Sequence, residues 1–347
     1  MKDIRNRVIL GALLGLAVLI GLLLYGDVRD MGARLRAFPL WYIPPVLALT
    51  LFNYFLRWVK WHYYLRVIGA GEVALLDSAA LWVSGFVLAL SPGKVAELLK
   101  AVVLQMMTGV PVARGAPVVI AERVTDGLAM LVLAALGFGG MVSVSAAHRA
   151  VLARYLPAYF SVLALLLIGI AVIQIRPLFR WLLGVAARLP LLARASHALD
   201  DLYTSSYELF RPRALAFAVS LGIISWAGEC VGFFLILVGL GLAPTGLLFW
   251  QAMFMLAVAT VIGALSGLPG GLGAAEFTIA GMVQLLVLGY EDAGFAGTAT
   301  LLVRLFTLWF AVVLGLVTAF AFRRRLFPER LAREWRSARS AASGSGH

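Results

Sequence analysis

Residues 90–100 read LSPGKVAELLK, a Pro-Gly break followed closely by Lys94, Glu97 and Lys100. On a water-soluble chain this would be an ordinary loop and helix start. Here it lies in a chain that is 62% hydrophobic and 13% charged, with a mean hydropathy of +0.96. Soluble domains carry about a quarter charged residues, so the composition indicates an integral membrane protein. A helix broken at membrane depth survives only where protein or a wet cavity satisfies the freed backbone groups. A second break, LPGGLGAAEF at residues 268–277, repeats the problem. Together the two breaks indicate an all-α integral membrane protein, a polytopic helical bundle with two re-entrant, broken helical hairpins.

Around the breaks, apolar runs near 8–26, 39–60, 114–142, 153–175, 214–238 and 293–322 approach the ~20 residues needed to span a bilayer. The regions 76–107 and 244–289 are each split near the middle by Pro-Gly, and their short halves are the reason for reading re-entrance. The N-terminal run follows a charged start but lacks an A-x-A-like cleavage site, so we expect a retained span rather than a signal peptide. The net charge of +12 does not point to nucleic acid, because the basic residues cluster at the ends of apolar runs, as topology and anionic headgroups require. Lys2, Arg5 and Arg7 place the N-terminus in the cytoplasm. Arg57, Lys60 and Arg66, then Arg114, the stretch 176–213 and Arg323 to Arg325 fall on the same side. On this count the first hairpin opens from the cytoplasm and the second from outside. The single cysteine, Cys230, leaves no intramolecular disulfide.

We expect one transmembrane domain over residues 1–322, with repeats at about 40–142 and 214–322. The segment 176–213 reads as an amphipathic cytoplasmic connector: Leu178, Trp181, Leu182, Val185 and Leu189 fall at helical spacing with arginines between them. Residues 323–347 read as a basic, disordered cytoplasmic tail whose terminal SGSGH looks like a tag remnant.

The halves echo each other. SPGKVAEL is matched by LPGGLGAAEF, and each Pro-Gly is followed within two turns by a glutamate, Glu97 or Glu276. Arg123 lies 31 positions after Pro92, and Arg304 lies 35 after Pro269. Asn53 precedes the first proline by 39 positions, and Glu229 the second by 40. With opposite openings, the copies form an inverted-topology repeat, the arrangement that puts a transport site where discontinuous helices meet.

PGK-x3-E, AERVTDGLAML, LPGGLGAAEFTI and LLVRLFTLWFAVVLGL resemble the flippase-type membrane region of bacterial lysylphosphatidylglycerol synthases, over roughly residues 5–322. The resemblance implies movement of a lipid, often one with a charged or phosphate-bearing headgroup, between leaflets. No soluble aminoacyl-transferase domain follows the last span, so the resemblance is to a stand-alone member and does not imply lysine transfer.

The candidate binding residues follow from charge at membrane depth. Pro92, Gly93, Pro269, Gly270, Gly271 and Gly273 free backbone N–H groups at helix starts, where an anion is favoured, and let the backbone approach a phosphate or a packed neighbour. Lys94 adds a point charge. Glu97 either binds or pairs with Lys94 or Lys100, whereas Glu276 has no basic neighbour in its helix and needs a partner from elsewhere. Glu122, Arg123 and Asp126 cluster on an otherwise apolar span. Arg304 sits deep, with Thr300 and Thr307 on its face, and Glu229 lies at similar depth beside Ser225. Ionised groups in hydrocarbon cost about 2.5 kcal/mol or more, so each must face a partner or a cavity. Two arrangements answer this: a polar cavity in which arginine binds phosphate, or an ion-pair network with Glu229–Arg304 as one candidate pair.

We therefore expect a lipid flippase or scramblase of the cell membrane with both termini cytoplasmic. Its partners would be an anionic phospholipid, an aminoacylated lipid or a polyprenyl-phosphate lipid, and a homodimer stays open. A secondary transporter of a small anionic solute is the alternative. An enzyme is least favoured. No P-loop or metal-ligand constellation occurs. Ser266-Gly267 lacks a glycine two residues earlier, where Ala264 stands, and 293–322 has no histidine base. We expect no catalytic residues, metal or cofactor.

Overall fold

The computed structural model describes residues 27–90, 97–144, 156–175, 196–288 and 292–326, with Gly21, Pro177 and Trp181. The expected first span, Pro92, Gly93 and Lys94 of the first break, most of 176–195 and the tail beyond 326 lie outside the described residues.

Among the described residues there is no strand. The helices are α1 (Val28–Ala37), α2 (Ile43–Val67), α3 (Leu75–Ser84), α4 (Leu99–Thr108), α5 (Val112–Val144), α6 (Leu156–Gln174), α7 (Ser196–Leu209), α8 (Pro212–Gly239), α9 (Gly246–Leu265), α10 (Ala274–Val283), α11 (Ala293–Arg304) and α12 (Phe310–Ala321). Six described helical stretches are long and apolar enough to cross a membrane, and a seventh is reached if the pair 28–37 and 40–67, bent by 74°, counts as one.

The two breaks differ. The first separates short apolar helices, Leu75–Ala89 and Leu99–Thr108, as its short halves suggest. The arms of the second, Gly246–Leu265 and Pro269–Val287, are 20 and 19 residues long. Each reaches spanning length, so the argument from shortness does not extend to the second region.

Packing fixes which loops share an end. One apolar cluster joins Phe38, Met141, Ile236, Leu248 and Phe295, and a second joins Ile68, Leu104, Leu209, Phe210 and Leu326. Ion pairs agree: Arg34 binds Asp292 at 2.7 Å at the first end, while Arg325 binds Asp77 at 3.1 Å at the second. This is the division of loops that the basic residues suggested, now read from contacts.

α5 and α9 form the most extensively packed pair. A Cβ at Gly137 would lie 2.7 Å from the backbone nitrogen of Phe254, so this crossing depends on a small residue that lets backbones touch, as in other membrane interfaces. α12 packs on α3, and α8 packs along α2, so each half embraces the other. The turn leading into the first break, Gly85–Leu90, lies against the second break, Pro269–Gly271.

Candidate functional site

The site begins with α2. Thr50, Asn53, Arg57, Lys60 and Tyr64 recur at steps of three and four, one face of a helix, and all five are buried. Leu51, Phe52 and Phe55 are exposed instead. A helix with its polar face inward suits a hydrocarbon surrounding.

Arg57 and Lys60, read from sequence as interfacial charges, are therefore corrected by the structure: they are 6% and 0% exposed. The reason is two carboxylates on α5. Arg57 Nη2 lies 3.4 Å from Glu122 Oε1 and 3.1 Å from Asp126 Oδ2, and Lys60 Nζ donates to Asp126 and Thr125. The Arg57 guanidinium also lies over the rings of Trp82 and Trp226, at 5.6 and 5.0 Å, a cation–π arrangement. Glu122 is fully buried and accepts from Trp82 Nε1 at 2.9 Å and Lys100 Nζ at 3.2 Å.

Lys100 is thus committed to Glu122 rather than to Glu97. Glu97 instead accepts from Arg123 Nε at 2.8 Å. The second half repeats this contact, with Arg304 Nε donating to Glu276 Oε1 at 2.6 Å. In each half the glutamate after the break is held by the arginine of the following span. The candidate Glu229–Arg304 pair does not form; Arg304 pairs with Glu276 instead.

Beyond that shared contact the two arginines differ. Arg304 Nη2 donates to the carbonyl of Gly270 at 2.7 Å, tying the span to the break. Glu276 is held on both oxygens, since its Oε2 accepts from Gly273 N at 2.8 Å and caps α10. Gly270, Gly271 and Gly273 have φ of 60°, 68° and 87°, a region that favours glycine. A Cβ at Gly271 would lie 3.0 Å from Gly263 Cα. The glycines of the second break thus serve a turn and a close crossing, and part of its free N–H capacity is consumed by Glu276. Arg123 is less constrained. Its side chain is 36% exposed, and its terminal nitrogens make no hydrogen bond among the described residues.

These groups surround a partly open cavity of about 330 Å³, lined by the second break and by Ala89 and Glu97 on either side of the first. Of the residues expected from sequence, Glu97, Arg123, Asp126, Glu229, Gly270, Gly271, Arg304 and Thr307 line it. Glu122, Pro269, Gly273 and Glu276 stand behind its wall as supports. Thr300 is buried and returns its hydroxyl to Ala296 of its own helix. Sequence reading missed Tyr54, Arg57, Trp226 and Thr260 in the lining. The alternating three–four spacing of polar residues along α2 was the signal available for Arg57. A π-helical turn, Leu305–Trp309, follows Arg304 directly, a local irregularity often found at functional sites. The cavity rim includes exposed Ala264, flanked by exposed Ile262, Leu265 and Leu268. The cavity, with its charged side chains, therefore lies beside an apolar outer surface.

Comparison with known proteins agrees with this architecture. A UPF0104 membrane protein of Methanothermobacter thermautotrophicus is 26% identical over 261 residues, covering 69% of this chain and 72% of that protein. No solved structure matches the chain. Residues 8–315 match the family described as the lysylphosphatidylglycerol synthase TM region, which takes in both breaks, both glutamate–arginine pairs and the whole cavity. This multi-pass membrane protein belongs to the lysylphosphatidylglycerol synthase transmembrane-region family.

Proposed function

We propose that the chain moves a lipid with a charged or phosphate-bearing headgroup between leaflets. The headgroup passes through the cavity while the acyl tails stay in the bilayer. The observation that carries this reading is Arg123, which lines the cavity and whose terminal nitrogens make no hydrogen bond among the described residues while its Nε is held by Glu97. A guanidinium presenting its two terminal nitrogens matches a phosphate, and a site at membrane depth replaces the water that the headgroup loses. The apolar rim around Ala264 favours a lipid over a small anionic solute, since tails need a lateral exit. The two glutamate–arginine pairs support an inverted repeat whose halves alternate in opening. We assign the protein to the cell membrane with both termini cytoplasmic, on the distribution of basic residues.

The reading is tested in proteoliposomes with fluorescent phosphatidylglycerol and phosphatidylcholine in the outer leaflet. We expect the protein to speed exchange of the anionic lipid more than the zwitterionic one. Equal exchange of both, or none, overturns a site selective for an anionic headgroup.

Topology is tested separately, in a background with Cys230 replaced. Cysteines at Ala74 and Gly109 are expected to label from the cytoplasm, and cysteines at Thr245 and Glu291 from outside. A pair split across the membrane overturns the inverted hairpins.

A further inference from the structure

The site carries a charge imbalance that its ion pairs leave unresolved. Among the described residues, five cationic side chains, Arg57, Lys60, Lys100, Arg123 and Arg304, line the cavity or stand behind its wall. Four carboxylates, Glu97, Glu122, Asp126 and Glu276, engage all five in ion pairs. The fifth carboxyl is Glu229, which is 5% exposed and lines the cavity. It makes no hydrogen bond or ion pair with any described residue. Two polar groups of α2 beside it are used elsewhere: Asn53 Nδ2 donates to Ser225 Oγ, and Tyr54 donates its hydroxyl to the carbonyl of Thr307.

The described titratable and charged groups that line the cavity with Glu229 are Tyr54 and Arg57 from α2, Glu97 ahead of α4, Arg123 and Asp126 from α5, and Arg304 at the end of α11. Its own helix adds buried Cys230, and the described lining of α9 adds no charge. With Glu229 ionised, the ten side chains sum to zero. With Glu229 protonated, one positive charge is left over, in the cavity that also holds the open nitrogens of Arg123. A phosphodiester headgroup carries one negative charge.

We propose that Glu229 is a proton site coupled to headgroup binding, so that one proton is taken up there for each singly charged phosphodiester bound in the cavity. This rests on the reading of the cavity as a headgroup site. In a water-poor interior an uncompensated charge is costly, so the empty cavity is favoured with Glu229 ionised and the occupied cavity with Glu229 neutral. The sign follows. Lower pH neutralises Glu229 and strengthens anion binding, and by reciprocity a bound anion strengthens proton binding. A pH gradient would then drive the headgroup in the direction of proton flow.

The probe is dioctanoyl phosphatidylglycerol, added to purified full-length protein in weakly buffered detergent with a pH-indicator dye. Trp226 in the cavity wall provides a fluorescence readout of binding. We expect uptake of about one proton per lipid, and an affinity that rises about tenfold for each pH unit lowered above the Glu229 titration. Glu229→Gln should bind the lipid with no proton uptake and no dependence on pH. Wild-type binding that is flat with pH and takes up no proton overturns the coupling while leaving the headgroup site intact. Wild-type proton uptake retained in Glu229→Gln overturns the assignment to Glu229. If that variant does not fold, the wild-type proton count decides on its own. Glycerophosphoglycerol, which lacks tails, separates the sources of the phosphodiester. Binding of it as tight as the lipid's, with the same proton uptake, supports the proton site and overturns the lipid reading. No binding of either probe at any pH overturns both.

Discussion

Glu122→Gln is expected to destabilise the folded protein by about 3–5 kcal/mol, the usual cost of removing one partner from a buried ion pair. Glu122 is 0% exposed and faces Lys100, Arg57 and the Trp82 N–H at once. The cluster of Arg57, Lys60, Lys100, Glu122 and Asp126 has one excess positive charge, and the substitution raises this to two. Glu122 itself is 0% exposed, so the lost charge is not replaced at its position by solvent. Adding Lys100→Met returns the excess to one and should recover part of the loss. Unfolding in a denaturing detergent titration, followed by tryptophan fluorescence, measures both variants. A Glu122→Gln protein within about 1 kcal/mol of wild type would show that the cluster is not held by this carboxylate. A double variant no better than the single one would show that charge excess is not the cause.

Arg123→Lys is expected to leave the protein folded and to cut lipid transport by about tenfold to a hundredfold. This is the range for losing charge-assisted hydrogen bonds of about 1.5–3 kcal/mol. Lysine keeps the charge and can still reach Glu97, but it has no planar fork to present to a phosphate. Arg304→Lys should behave differently. Arg304 holds Glu276 through Nε and the Gly270 carbonyl through Nη2, and a single ammonium cannot reproduce that geometry. The second break should loosen, with a loss of about 1–3 kcal/mol in stability for the unsatisfied groups. Transport assays and detergent unfolding on both variants test the contrast. Normal transport by Arg123→Lys would sink the phosphate role. Equal stability of Arg304→Lys and wild type would sink its role in anchoring the break.

The sequence alone determined the membrane class, most span positions, both breaks and the glutamate–arginine spacing that recurs in each half. These features are local or additive: apolar length, Pro-Gly interruption and charge counted along a line. It also determined that Glu276 needs a partner from another helix, because none lies within reach on its own. Pairing was decided only by the tertiary structure. Lys100 is as close in sequence to Glu97 as a salt bridge on one helix requires, yet it pairs with Glu122, because α4 packs against α5 and Arg123 takes Glu97. Arg57 and Lys60 looked like interfacial charges when counted, but the rotation of α2 points them inward toward Glu122 and Asp126. Glu229 and Arg304 share the cavity without pairing, because Glu276 reaches Arg304 from the adjoining helix. Which charges meet depends on helix rotation and on long-range packing, and neither is written in the spacing of residues along one chain.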